Sequence, residues 1–365
     1  GLHIRSTRTT RRTICQSLTW KKFLKICCYC CSRKQHSSAM VTKNSKSSAP
    51  TSNGGGKRSN KTKDSTVKKA VFITGCDTGF GHELAKRLDA GGFQVLAGCL
   101  NPSSEGATML RDFCSPSLRV VHLDVTKEDH IRRAAKTLAG ELGTRALWAV
   151  VANAGMMSAG ELEWGSSDSV RYLFEVNVFG VVNVVKMALP FLRRTQNARV
   201  VIVASVAGRV TYPGLAYYCM SKHAVVSFAD GLRREMRKWS IVVSTIEPVL
   251  YRTKMALPEQ IQCSMDQAWQ DSPESVRETY GKNYFEAFRS RCLEFLARRC
   301  RDELYEVVDN MVHAVSSRRP KRSYFCGGTG DRFRFSLFRM LAPTTVDRIL
   351  CSINQSEIRR SISDE

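Results

Sequence analysis

One pattern repeats between Lys68 and Pro248: a short apolar run, then a stretch with helical spacing of its apolar positions. The run "KKAVFIT" opens directly onto glycines and reads as a buried strand. Glu83–Ala90 reads as a helix ended by Gly91-Gly92. "FQVLAGCL" and "LRVVHLDVT" read as second and third strands, the latter followed by a helix over Glu128–Leu142. "LWAVVANAG" is a fourth strand, and a long helical stretch, Asp168–Leu192, leads to a fifth, "ARVVIVAS". A helix over Tyr217–Trp239 leads to the sixth, "IVVSTIEP". Strands and helices alternating at this spacing predict an α/β fold, a Rossmann-type doubly wound parallel sheet with helices on both faces.

The first 67 residues break the pattern. Rich in Ser, Thr, Lys, Arg and Gly, with "TSNGGGKRSNKTK" as the clearest linker, they read as a disordered tail. They also change the meaning of the net charge. Of the +23 overall, residues 1–63 hold 15 of the 56 Lys and Arg and no acid, which leaves +8 for the rest. Such a tail is a targeting or interaction segment. The body shows no nucleic-acid-binding motif, so nucleic acid is not an expected partner. Within the tail, "WKKFLKICCYCCSRK" admits several readings: a mitochondrial transit segment, a palmitoylated anchor at Cys27, Cys28, Cys30 and Cys31, or a plain basic tail. Four cysteines packed this closely cannot easily surround one ion, so no metal site is expected. Other cysteines of the 14, such as Cys99 and Cys219, mostly sit in apolar runs and fit free thiols in a reducing compartment. No uninterrupted apolar run reaches the roughly 18 residues of a membrane span.

Candidate chemistry begins at "TGCDTGFG", Thr74–Gly81, between the first strand and the first helix. Gly75 can make the tight turn, Gly79 lets backbone approach a pyrophosphate, and Gly81 lets the helix pack close to the sheet. The free N–H groups of the helix then face the phosphates. The end of the second strand, Gly98-Cys99-Leu100, has neither an acid for a ribose 2′-hydroxyl nor an Arg for a 2′-phosphate. Asp77, inside the loop, would repel a 2′-phosphate, which points to NAD over NADP. As a turn residue it can equally be a local cap.

A second constellation lies further on. Tyr218 and Lys222 are four positions apart on a predicted helix and share a face, whereas Tyr217 points elsewhere. A close ammonium favours the phenolate and lowers a pKa that is otherwise about 10. Ser205 ends the fifth strand, where α/β sheets place their sites, and its hydroxyl can polarise a substrate oxygen. Asn153, Ala154 and Gly155 end the fourth strand likewise. Asn177 falls inside the long helix, where a buried Asn needs a reason, such as holding a water or a backbone group. Taken singly, each can be structural: a solvated YxxxK face, a turn serine, a helix-bend asparagine.

Together these residues resemble the short-chain dehydrogenase/reductase family, from about Lys68 to Gly328. The matching pieces are TGxxxGxG at Thr74–Gly81, "LDV" at Leu123–Val125, "NAG" at Asn153–Gly155, Asn177, Ser205, and Tyr218 with Lys222. Segments such as "ITGCDTGFGHELAKRLDAGGFQVLAGCLN" and "RETYGKNYFEAF" are similar to one branch. It holds retinol dehydrogenases, 17β-hydroxysteroid dehydrogenases (type 2 especially) and D-β-hydroxybutyrate dehydrogenase. The resemblance implies NAD-dependent oxidation of a lipophilic alcohol, a steroid or retinoid. It implies Tyr218 as acid/base, Lys222 lowering its pKa and binding the nicotinamide ribose, Ser205 positioning the reacting oxygen, and Asn177 holding a relay water. It implies cofactor contacts from Gly75, Asp77, Gly79, Phe80, Gly81, Asn153, Ala154, Gly155 and Pro248. Asp124 and Val125 would flank the adenine, and Thr253 would meet the nicotinamide amide. The implied organisation is one catalytic domain over 68–330 with a helical lid over about 255–300, an amphipathic extension over 331–365, and a homo-oligomer built through the two long helices.

Two positions depart from the family pattern. Ala152 replaces the first Asn of NNAG, and Val249 stands where a Gly normally follows Pro248, stiffening the loop beside the nicotinamide. In the lid, Met255, Leu257, Trp269, Tyr280, Tyr284 and Phe285 either line an apolar substrate site or form ordinary core. Arg252 and Lys254 keep open a small hydroxy acid, as in a mitochondrial 3-hydroxybutyrate dehydrogenase. The two departures keep open a cofactor-binding protein with little turnover. "RFRFSLFRMLAP" is basic and amphipathic, suited to docking on the fold or on a membrane surface. The expected location is accordingly the mitochondrion or a membrane face such as that of the endoplasmic reticulum.

Overall fold

The structure, a computed structural model, describes residues 69–143 and 145–351. The expected tail, with its transit, anchor and cysteine readings, lies outside them. Seven parallel strands form one sheet: β1 (Ala70–Thr74), β2 (Gln94–Cys99), β3 (Arg119–His122), β4 (Leu147–Ala152), β5 (Arg199–Val203), β6 (Val242–Pro248) and β7 (Ser323–Cys326), in the order 3-2-1-4-5-6-7. The order reverses between β1 and β4, which opens a crevice at their C-terminal ends.

Successive strand residues point to opposite faces, and both faces are covered. Phe72, Leu96, Val150 and Val200 pack with α3 (Glu128–Leu142), α5 (Gly180–Leu192) and α6 (Ala216–Met236). Val71, Ile73, Val95 and Val151 pack with α1 (Gly79–Ala90), α2 (Glu105–Phe113) and α10 (Tyr305–Ser316). Burial on both sides is why these strands read as unbroken apolar runs. The described cysteines are free, and Cys76, Cys99, Cys219 and Cys326 are buried.

Three features differ from the sequence expectations. Helix α1 starts at Gly79, not Glu83, because its first turn is Gly-Phe-Gly, residues that carry no helical pattern. The stretch expected as one long helix is α4 (Ser167–Phe174), a π turn over Glu175–Phe179, and α5. This run, Ser167–Leu192, is long and apolar enough to span a membrane by length and composition, yet Val181, Val184, Val185, Ala188 and Leu192 pack in the core. Strand β7 was not anticipated: it is four residues long at the sheet edge, with a partly exposed pattern.

Three helices, α7 (Pro258–Gln270), α8 (Glu274–Tyr280) and α9 (Lys282–Arg299), form the region expected as a lid. They share a separate cluster around Trp164 with Ile261, Met265, Phe285 and Phe288. Helix α11 (Thr329–Met340) packs on the fold through Phe335, whose ring lies 5.1 Å from that of Phe325. Its Phe333 and Met340 are exposed.

Candidate functional site

The glycine loop and the end of β4 are built against each other. The Thr74 hydroxyl accepts from the N–H groups of Asn153 and Ala154, both at 3.0 Å. The Asn153 amide in turn donates to the carbonyls of Thr74 (2.9 Å) and Gly75 (3.0 Å). Thr74 was not singled out from the sequence, although its place before Gly75 marks it. Gly75 has φ +69°, and a Cβ there would meet the Ala154 backbone at 2.9 Å. A Cβ on Gly81 would stand 2.3 Å from the Gly75 carbonyl, so only glycine lets α1 sit this close to the sheet. Ala152 is buried in the apolar cluster under α5 and α6, which accounts for an apolar residue there.

Asp77 reaches the end of β2. Its carboxylate accepts from the N–H groups of Leu100 (2.8 Å) and Asn101 (2.9 Å), with the Ser104 hydroxyl at 3.4 Å. A carboxylate thus stands beside the tip of β2, although that strand carries none. Arg111 of α2 also acts on this corner, favouring the thiolate of Cys99, while burial pushes that thiol up to about 12. Further along, the Asp124 carboxylate accepts from the Thr126 N–H and hydroxyl, and Val125 is buried.

Asn177 is fully buried in the π turn. Its side chain exchanges hydrogen bonds with the Met156 backbone, accepting from N–H and donating to C=O, both at 2.9 Å, and donates to Ser221 Oγ at 3.0 Å. Ser221 donates to the Tyr218 carbonyl at 2.7 Å. The reason for a buried helical Asn is therefore a backbone group: it ties the loop after β4 to α6. A π turn marks functional helices often enough to be informative.

Tyr218, Ser205 and Lys222 converge beside it. Ser205 caps the turn Val206–Gly208, accepting from the Ala207 N–H (3.1 Å) and donating to the Pro248 carbonyl (3.3 Å). Burial pushes the Tyr218 phenol up to about 12, opposed by its hydrogen bond with Ser205. Lys222 donates to the Val203 carbonyl at 3.2 Å, and its Nζ lies 5.8 Å from the Tyr218 ring centroid. Burial lowers the ammonium to about 8. The expected depression of the phenol by Lys222 is thus not what governs Tyr218 here; desolvation of each group is. Gly155 lies against both Asn177 Oδ1 and Lys222 Nζ. Tyr217 points away and donates to the Leu162 carbonyl at 2.9 Å.

The loop after β6 closes the site. Thr253 faces Gly79, whose Cβ, if present, would lie 3.4 Å from Thr253 Cγ2. Val249 turns its methyls to Gly327, 3.0 and 3.2 Å from where a Cβ would stand, and joins the apolar cluster on that face. Arg252 is held by Asp302 in a solvent-exposed ion pair. Trp269, Tyr280, Tyr284 and Phe285 surround Trp164, at centroid distances of 5.2, 5.7, 6.2 and 5.5 Å, so they are the core of the lid region. Met255 is half-exposed and free of that cluster. Among the described residues no group of three or more potential ligands could hold a metal ion.

The family model described as short chain dehydrogenase matches residues 69–262. The 17-beta-hydroxysteroid dehydrogenase type 6 of Bos taurus is 39% identical over 283 residues, 77% of this chain and 87% of that protein. Retinol dehydrogenase 16 of Rattus norvegicus is 37% identical over 271 residues, 74% of this chain and 84% of that protein. Where the motifs resembled hydroxysteroid type 2, these hydroxysteroid relatives are of type 6. Among solved structures, a short chain dehydrogenase/reductase from Burkholderia phymatum in complex with NAD aligns at TM-score 0.60 and 24% identity, covering 74% of this chain and 92% of that one. A short chain dehydrogenase from Burkholderia cenocepacia with NADP aligns at TM-score 0.57 and 20% identity, covering 78% and 97%. The family match and identity on this scale over most of both chains have one reading: the chain belongs to the short-chain dehydrogenase/reductase family, in its retinol and hydroxysteroid dehydrogenase branch.

Proposed function

We propose that this protein is an NAD-dependent dehydrogenase of a lipophilic alcohol, a steroid or retinoid, with Tyr218 as its acid/base. The observation that carries the reading is a half-buried Tyr218 whose phenol interacts with Ser205, with buried Lys222 one helical turn on, at the C-terminal ends of β5 and β6. The cradle fits a dinucleotide. Gly75, Gly79 and Gly81 present bare backbone, and Phe80, its ring packed on Tyr251, completes the α1 N-terminus offered to a pyrophosphate. Asp124 and Val125 would flank the adenine, Asn153, Ala154 and Gly155 the ribose side, and Pro248 and Thr253 the nicotinamide. Asp77 beside the tip of β2 supports NAD; Arg111 at the same corner is the residue that would favour NADP.

When bound, the nicotinamide supplies the hydride chemistry; the chain supplies positioning and proton movement. Ser205 orients the substrate oxygen. Tyr218 exchanges the proton at that oxygen. A phenol raised by burial holds its proton at neutral pH, which suits proton donation to a carbonyl and makes alcohol oxidation accelerate as pH rises. Lys222, itself destabilised as a cation by burial, gains most from a neighbouring phenolate and so favours that form. Asn177 holds the Met156 loop against α6 and thereby fixes the tyrosine's helix. Assembly through α4–α6 is part of the same reading, supported by exposed Tyr172 and Phe179 on that surface.

Arg252 is paired with Asp302, which leaves Lys254 as the cation a small hydroxy acid would need. The deciding experiment follows NADH absorbance with a hydroxysteroid, retinol and 3-hydroxybutyrate. Turnover of the first or second, and not the third, is expected; turnover of the small acid alone would overturn the substrate assignment. Cofactor binding without oxidation of any alcohol would favour a non-catalytic role.

A further inference from the structure

All seven strands run in one direction, so the residues leading into each strand share the edge opposite the catalytic crevice. That edge is basic along five of the seven strands. Lys69 precedes β1, Arg145 precedes β4, Arg193 and Arg194 precede β5, and Arg237 and Lys238 precede β6. Arg318, Arg319, Lys321 and Arg322, all exposed, precede β7. Because β1, β4, β5, β6 and β7 are neighbours, these cations form one surface. Asp230 neutralises Arg233 and Arg322, each at 2.8 Å, and Glu235 is exposed nearby. Arg234, Arg237, Lys238, Arg318 and Arg319 have no ion-pair partner among the described residues.

At the centre lies an open depression of about 690 Å³, lined by Asn197, Arg233, Arg234, Arg237, Ser240 and Val242. Asn197 and Ser240 are the non-glycine residues with left-handed backbone among the described ones, at φ 56° and 54°. Beside it Trp239 is 45% exposed, with the Arg193 guanidinium 5.3 Å from its ring. Exposed cations around a hollow wide enough for more than one phosphate group, with an exposed indole beside it, match a lipid–water interface. Arginines there pair with phosphate oxygens and the indole sits at headgroup depth. Far upstream in the chain, residues 20–31, "WKKFLKICCYCC", also interleave basic and apolar residues. That combination favours lipid over nucleic acid.

We propose that this edge is a docking surface for anionic phospholipid, with a headgroup phosphate in the arginine hollow and Trp239 in the interface. The catalytic crevice, at the other ends of the strands, stays open to solvent. The proposal does not depend on which alcohol is oxidised.

The test is sedimentation of the full chain with phosphatidylcholine vesicles, with and without phosphatidylserine. Binding is expected only with the anionic lipid. The double variant Arg234→Glu and Arg237→Glu should bind at least about 30-fold more weakly, at about fivefold per lost cation with the added carboxylates weakening it further. A charge-matched control on the exposed face of α3, Arg133→Glu and Lys136→Glu, should bind within about twofold of the wild type, since its cations lie off the surface. Trp239→Ala should weaken binding with little change in its salt dependence. Dehydrogenase turnover of detergent-free protein reports that each variant is folded. Equal losses in both double variants would overturn the proposal, because net charge alone would then explain binding. So would displacement of the protein from vesicles by a short RNA at equal phosphate concentration, which would assign the surface to nucleic acid.

Discussion

Lys222 is a cation in an apolar place, and replacing it by methionine should make the cofactor-free protein more stable while removing turnover. The side chain is 5% exposed, and its ammonium donates to the Val203 carbonyl. Burial lowers its pKa from the ordinary 10.5 to about 8. A depression of that size corresponds to about 3 kcal/mol of penalty on the charged form at pH 7. Methionine keeps most of the packing but leaves the Val203 carbonyl without its donor, at a cost of about 1–2 kcal/mol. The net expectation is a gain of about 1–2 kcal/mol at pH 7, read from urea unfolding. The sign of the pH dependence follows from the direction of the shift. Between pH 8 and 10 the unfolded lysine binds a proton that the folded one does not, so wild-type stability rises relative to the variant. The advantage of Lys222→Met should shrink across that window and vanish near its upper end. The window stops at about pH 10, where the unfolded phenol of Tyr218 begins to ionise. A variant that is less stable at pH 7, or a difference constant from pH 7 to 10, would refute the reasoning.

Three further substitutions test other parts of the site. Asn177→Ala strands the Met156 N–H and C=O; a loss of about 2–4 kcal/mol in thermal unfolding is expected, with a lower kcat. Val249→Gly removes methyls that pack on Gly327 and should cost about 1–2 kcal/mol while changing kcat by less than about twofold. A tenfold rise in kcat would instead mean that Val249 crowds the reacting groups. Asp77→Ala releases the Leu100 and Asn101 amides and should shift the NADP-to-NAD ratio of kcat/KM upward by about tenfold, measured with both cofactors on one alcohol.

The sequence made the chemistry-bearing parts of the sheet legible because they combine two constraints. Strands buried on both faces read as apolar runs, and the glycine loop must lie between the first of them and a helix. The choice of Tyr218 over Tyr217 needed only the helical period, and the structure places Tyr217 on the Leu162 carbonyl. Other parts were hidden for physical reasons. The π turn at Asn177 leaves no periodic mark, since one inserted residue shifts the pattern without breaking it. Strand β7 is an edge strand whose pattern is half solvent-facing. The lid aromatics could equally have lined a substrate site. Only tertiary contacts reveal that they close around Trp164. The pairing of Arg252 with Asp302 spans 50 positions, a contact no local pattern encodes. The pKa balance at Tyr218 could not be read from spacing alone. The Lys222 attraction was legible, but the desolvation that opposes it depends on packing around both groups.

The central claim is that Tyr218 exchanges the proton at the reacting oxygen. Its most direct test is turnover of Tyr218→Phe with NAD and a hydroxysteroid, alongside calorimetric titration of NAD. The phenyl ring keeps the packing and removes only the hydroxyl. Turnover should fall by at least about 10²-fold with NAD affinity unchanged. Wild-type turnover in Tyr218→Phe would contradict the account.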